Sequence, residues 1–158
     1  MKIIVLYDSL YGNTEVIAHL IANTLKGYGE VQEARAGSLF IEQLADIQML
    51  VVGSPTQQFR PTVGMRSFLN QIPKNGLWGV KVAAFDTRLT MSEIEKSPPL
   101  PFFERIFGYA AERIAKQLQK KGGELVLPAE GFYVEGMKGP LAKGEVERAE
   151  KWAHQLFA

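Results

Sequence analysis

The chain has 158 residues, 46% of them apolar and 22% charged, the proportions of one globular domain with room for a core. A formal net charge of +1 supplies no basic patch for nucleic acid or an anionic membrane surface, and the absence of cysteine excludes disulfides, thiolate chemistry and cysteine-ligated metal. No apolar run approaches the roughly 20 residues of a membrane span, and the first apolar run is too short for the core of a secretory signal, so a cytoplasmic protein is expected.

The run Ile3-Ile4-Val5-Leu6-Tyr7 is short, apolar and β-branched, as a strand buried on both faces must be. The polar stretch Ser9-Leu10-Tyr11-Gly12-Asn13-Thr14 follows it. Val16, Ile17, Leu20, Ile21 and Leu25 then recur at the spacing of an amphipathic helix. A helix entered this way leaves its first N–H groups without intrahelical partners and turns the positive end of its dipole to the loop, which makes the loop an anion seat. Ser9, Asn13 and Thr14 add side-chain donors, and Gly12 allows positive φ or close approach of the backbone. Several convergent donors suit a phosphate better than a carboxylate. The loop lacks the lysine of a nucleoside-triphosphate loop and the Gly-x-Gly-x-x-Gly of a dinucleotide fold. Taken alone, it is also compatible with a plain polar strand-to-helix turn.

Gly27 and Gly29 are expected to end the first helix through a left-handed cap, and Glu30 to Arg35 alternates weakly, like an edge strand. Residues 38 to 45 fit a short helix with Leu39, Phe40 and Leu44 inward. Met49-Leu50-Val51-Val52-Gly53 is a second apolar strand, and Pro61 to Ile72 reads as a helix with Pro61 in its first turn. Val80 to Phe85 is a third apolar strand, ending at Asp86-Thr87-Arg88. Leu89 to Pro101 contains three prolines and is expected to be irregular. Ile106, Ala110, Ile114 and Leu118 mark the next helix, which Gly122-Gly123 ends. Leu125-Val126-Leu127, Pro128 and Phe132-Tyr133-Val134 form the last strand, and the proline assigns it to an edge or bulge. Val146, Ala149, Ala153, Leu156 and Phe157 give the terminal helix its apolar stripe.

Five strands alternating with five helices predict a three-layer α/β/α domain spanning residues 1–158, with a doubly wound parallel sheet. Placing the apolar strands centrally and the mixed ones at the edges gives the order 2-1-3-4-5. In such a sheet ligands bind beyond the carboxyl ends of the strands, between the first and third, where the loops Ser9 to Thr14, Ser54 to Thr62 and Asp86 to Ser92 arrive.

Asp8-Ser9-Leu10-Tyr11-Gly12-Asn13-Thr14 after a first strand resembles the phosphate loop of the flavodoxin family, which binds flavin mononucleotide (FMN). Ser54-Pro55-Thr56-Gln57-Gln58-Phe59 is similar to that family's loop along the ribityl chain and one flavin face, with Phe59 as the stacking ring. Asp86-Thr87-Arg88 stands where its other flavin loop stands. Gly139-Pro140-Leu141 with Gly144-Glu145 resembles the entry to its last helix. The resemblance implies FMN as cofactor, held by Ser9, Leu10, Tyr11, Gly12, Asn13, Thr14, Ser54, Pro55, Thr56, Gln57, Phe59, Asp86, Thr87 and Arg88. It further implies an electron carrier or a small flavin oxidoreductase, with a redox partner protein or small electron acceptor. Leu10 and Tyr11 replace the loop's usual threonines, the third loop has no tryptophan or tyrosine, and the strong acidity of electron-carrying flavodoxins is missing.

Arg60, Asp86 and Arg88 are the charged residues of the two loops expected beside the ring, and they sum to one positive charge. That sum predicts a higher potential for the second reduction step than in acidic flavodoxins. The alternatives are a flavodoxin-fold interaction module without flavin and a phosphoacceptor receiver domain. The receiver reading needs an aspartate at the end of the third strand, where Gly53-Ser54 stands. His19 and His154 lack a second ligand at metal spacing. Trp78 is expected to pack under a loop, and Trp152 to border the terminal stripe. Lys116, Lys120 and Lys121 suit a solvated helix end. Tyr11 is open between core, lid and flavin contact.

Overall fold

The computed structural model describes residues 1–57, 60–90 and 109–158. Among the described residues six strands form one parallel sheet: β1 (Lys2–Tyr7), β2 (Glu30–Arg35), β3 (Met49–Pro55), β4 (Lys81–Leu89), β5 (Glu124–Leu125) and β6 (Glu130–Val134). Their order is β2-β1-β3-β4-β5, with β6 also paired to β4, so the fifth position is filled by two short pieces. Pro128 lies in the break, where a residue without an N–H cannot continue the ladder.

Four α-helices are present among the described residues: α1 (Asn13–Leu25), α2 (Val63–Gln71), α3 (Ala110–Lys120) and α4 (Glu145–Gln155). The period-2 alternation of the central strands sends their side chains into two cores. Ile4, Leu6, Leu50, Val52, Val82 and Ala84 meet Met65, Phe68 and Leu69 of α2 and Ile114 and Leu118 of α3. On the other face Ile3, Val5, Met49, Val51, Ala83 and Phe85 meet Ile17, Ile21 and Leu25 of α1 and Trp152 and Ala153 of α4. Covering both faces explains why the three central strands carry near-continuous apolar runs. Phe85, Phe132 and Trp152 form an edge-to-face triangle with ring centroids 6.0 to 6.1 Å apart.

Several local expectations are corrected. Residues 38–45 do not form one helix but lie in two 3₁₀ turns, Ala36–Ser38 and Ile41–Leu44, the second closed by the Gln43 side chain accepting the Phe40 N–H at 2.8 Å. Leu39 and Leu44 point inward as expected, whereas Phe40 is 72% exposed. α1 ends at Leu25 with Lys26 as its right-handed cap, and neither Gly27 nor Gly29 takes positive φ. α2 starts two residues after Pro61 because the Thr62 hydroxyl accepts the Met65 N–H and caps it. Trp78 is 80% exposed, while Trp152 is core and Val146 faces outward. Ile106, expected in the helix before Gly122, lies outside the described residues.

The correction that matters most for function is in β4. Asp86-Thr87-Arg88 is strand rather than loop, because β6 pairs with Phe85 to Leu89 and carries the ladder four residues beyond the apolar run.

Candidate functional site

The loop after β1 is organised by its own side chains. The Ser9 N–H donates to Asp8 Oδ1 at 2.9 Å, and the Gly12 N–H donates to Ser9 Oγ at 3.0 Å, so the Ser9 hydroxyl proton remains to be donated elsewhere. Gly12 sits at φ 94°, ψ −10°, a left-handed conformation that a Cβ makes costly, and serves as the N-cap of α1 with no side-chain cap. The first turn of α1 is thus left open at its positive end.

Two residues that sequence reasoning did not single out hold this loop. Arg35, at the end of β2, donates to the Ser9 carbonyl at 3.0 Å and to Glu15 Oε2 at 2.6 Å. Thr62 donates from Oγ1 to Asp8 Oδ2 at 2.5 Å. Thr14 is buried, its hydroxyl 2.7 Å from that of Thr87, which ties α1 to β4.

A cavity of about 400 Å³ opens beside this loop, at the carboxyl edge of the sheet. Leu10, Tyr11, Asn13 and Thr14 line it from the first loop, and Pro55, Thr56 and Gln57 from the end of β3. Thr87, Arg88 and Leu89 close it from β4, while Tyr109, Val134 and Met137 complete the wall. Nine residues expected at the site therefore line one cavity, with Ser9 and Gly12 in the loop beside it. Ser54 does not reach it: this residue is fully buried, donating to the Pro55 carbonyl and accepting the Thr62 N–H. Phe59 lies outside the described residues. Tyr109 was missed because it lies far along the chain from the loops it meets, at the mouth of α3; Leu89, Val134 and Met137 carry no local motif at all.

Asp86 is also corrected as a cavity residue. Its carboxylate is fully buried, accepts hydrogen bonds from Arg88 Nε and Nη2 at 2.7 and 2.9 Å, and accepts the Ala111 N–H at 2.9 Å. Burial pushes this carboxyl above its usual range, against the pull of Arg88 and of the Ala111 N–H. Thr56 Oγ1 accepts the neighbouring Ala110 N–H at 3.2 Å, so the ends of β3 and β4 together satisfy the start of α3. The Arg88 guanidinium lies 3.5 Å from the Tyr109 ring centroid and packs so closely on β6 that a Cβ at Gly131 would fall 2.1 Å from Arg88 Nε. The expected excess of positive charge beside the cavity is thus revised: Asp86 and Arg88 neutralise one another, and Arg60 lines a different cavity, between α2 and α3.

The family model of the flavodoxin domain matches residues 4–132. The chain belongs to the flavodoxin family. No curated protein matches its sequence. Among solved structures, oxidised flavodoxin 1 from Bacillus cereus aligns with TM-score 0.78 at 18% identity, covering 99% of this chain and 97% of the other. Flavodoxin 2 from the same organism gives 0.74 at 23%, covering 99% and 98%. Rubredoxin oxygen:oxidoreductase from Desulfovibrio gigas gives 0.72 at 18%, with 98% of this chain covering 35% of that one.

A flavodoxin is an FMN-binding electron-transfer protein, and the residues present fit that cofactor. The cavity falls within the roughly 300 to 1,000 Å³ of small-molecule sites, joining apolar and aromatic walls to an uncapped helix start. FMN supplies the redox chemistry by taking up and releasing electrons. The protein's part is to bind, orient and shield. The receiver alternative fails at the end of β3, where Gly53 stands in place of an aspartate. Among the described residues no helix is long and apolar enough to cross a membrane.

Proposed function

We propose that the cavity beside α1 holds FMN with its phosphate at Ser9 to Thr14, and that the chain works as a mid-potential electron carrier or small flavin oxidoreductase. One observation carries this reading: the α1 start, left open by Gly12, belongs to the same loop whose Leu10, Tyr11, Asn13 and Thr14 line the cavity. The Ser9 hydroxyl and the free first-turn N–H groups are the phosphate's donors. Thr56 and Gln57 run along the ribityl chain, and Tyr11, Tyr109, Leu89 and Met137 offer surface to the ring. Leu10 and Tyr11, each half exposed, shield it from the solvent side.

The mid-potential assignment follows from charge. No carboxylate lines the cavity among the described residues, and its charged side chain, Arg88, is neutralised by Asp86 beneath it. A cavity without carboxylates opposes negative charge on a reduced cofactor less than an acidic one does. The partner is then a redox protein or a small electron acceptor that reaches the exposed edge formed by Leu10 and Tyr11.

The test is an absorbance spectrum of the purified protein after incubation with FMN and gel filtration. Flavin bands near one equivalent per chain are expected. Their absence would remove the reading in favour of a flavodoxin-fold interaction module.

A further inference from the structure

We propose that the cavity between α2 and α3 is a second anion site, which takes the phosphate group of a phosphorylated small molecule. It encloses about 210 Å³ and is lined by three arginines, Arg60, Arg66 and Arg113, beside the apolar side chains of Leu69 and Ile114. No carboxylate lines it among the described residues. Arg66 is the sole charged residue of α2, and Arg60 and Arg66 make no ion pair among the described residues. Glu112, the acidic residue in the first turn of α3, is turned back onto the Tyr109 N–H at 2.6 Å.

Arg66 and Arg113 stand at the fourth position of α2 and α3, while Leu69, Asn70 and Gln117 line the cavity further along the two helices, so its positive potential comes from the guanidinium groups rather than from the helix starts. Arg60 and Arg66, gathered in one small cavity with no ion pair among the described residues, repel one another, and an anion relieves that repulsion. Guanidinium forks match a tetrahedral oxyanion through paired N–H donors, which selects phosphate over a simple halide. Leu69 and Ile114 offer apolar surface to the body of the molecule that carries it.

The place of this site is informative. The backbones of Gln57 and Arg60 pair at 2.8 and 2.9 Å, and Gln57 lines the cavity assigned to FMN while Arg60 lines this one. One turn of chain thus separates the two. If FMN binds as proposed, a phosphorylated electron donor or acceptor anchored here lies beside it; the anion site itself does not depend on that reading.

The test is titration of the ¹⁵N-labelled, FMN-incubated protein with inorganic phosphate and with adenosine 5′-monophosphate, against sodium chloride of matched ionic strength. Saturable shifts are expected at the backbone amides of Arg66, Asn70, Arg113 and Gln117, stronger for the ester. Arg66→Gln should weaken binding by roughly tenfold or more, and Arg66→Lys, which keeps the charge but not the fork, by less. Arg66 is exposed, and unchanged shifts elsewhere report that the variants fold. Non-saturating shifts, shifts reproduced by chloride, or insensitivity to Arg66→Gln would overturn the site. Equal affinity for phosphate and its ester would overturn the assignment to a phosphorylated molecule. FMN binding is read separately, in flavin absorbance, so failure of one reading is distinguishable from failure of the other.

Discussion

Arg88 reaches back along β4 and donates two hydrogen bonds, 2.7 and 2.9 Å long, to the fully buried carboxylate of Asp86 two residues earlier. Residues i and i+2 of a strand share a face, so this pairing follows from the strand continuing to Leu89. The pair joins the cavity wall to the start of α3, since Asp86 also accepts the Ala111 N–H.

Removing Arg88 strands the carboxylate. Arg88→Met is expected to lower stability by about 3 to 5 kcal/mol at neutral pH, the usual cost of breaking a buried pair from one side. The sign of its pH dependence follows from burial. With the cation gone, desolvation raises the folded-state pKa of Asp86 further above its unfolded value of about 3.9. The folded variant then holds its proton more tightly than the unfolded chain, so its deficit is small below that value and grows as pH rises through the folded pKa. Urea unfolding across pH checks this; a deficit independent of pH would place the charge of Asp86 elsewhere.

Glu145 behaves in the opposite sense. Burial pushes its carboxyl up, but the Arg148 hydrogen bonds and the Tyr133 N–H outweigh burial and hold it below the usual range. A depressed folded pKa contributes stability above the unfolded value of about 4.3 that is lost as pH falls through the folded one. Glu145→Gln should therefore be less stable than wild type at neutral pH and approach it in acid. Parallel thermal melts at pH 7 and pH 3 are the check, and an equal difference at both would contradict the assignment.

How much of this was legible beforehand depended on whether the signal was local. Ile3 to Tyr7, Met49 to Gly53 and Val80 to Phe85 announce themselves because a strand covered on both faces must be apolar at every position. Ser9 to Thr14 was legible because strand, polar turn and amphipathic helix are adjacent in sequence. Asp86 and Arg88 looked like loop charges because their strand is made by distant partners: Ser54 and Pro55 of β3 oppose Asp86 and Thr87, and Glu130 to Val134, more than forty residues away, carry the ladder on to Leu89. Tyr109 and Arg35 reach the site from other elements, and no local pattern marks them. Phe40 and Trp78 fail for the converse reason: an aromatic residue near an apolar run carries no statement of which way the chain will turn it.

Thr14 has two roles that one substitution separates. Its hydroxyl pairs with that of Thr87 at 2.7 Å and its side chain lines the cavity. Thr14→Val keeps the shape and leaves the buried Thr87 hydroxyl unpaired, which should cost about 1 to 3 kcal/mol of stability as well as weaken FMN binding. Adding Thr87→Val should return part of the stability but not the affinity. Chemical denaturation and flavin titration of the single and double variants measure the two effects apart, and additive stability losses would show that the hydroxyls are not coupled.

The most direct test of the account compares FMN with riboflavin, which has the same ring and ribityl chain but no phosphate. If the open start of α1 and the Ser9 to Thr14 loop seat the phosphate, its charge-assisted hydrogen bonds, roughly 1.5–3 kcal/mol each, should make FMN the tighter ligand by at least about 2 kcal/mol. Fluorescence titration of the apoprotein should then give a dissociation constant for riboflavin some thirtyfold or more above that for FMN, since about 1.4 kcal/mol is tenfold. Equal constants for the two would contradict the account at its centre.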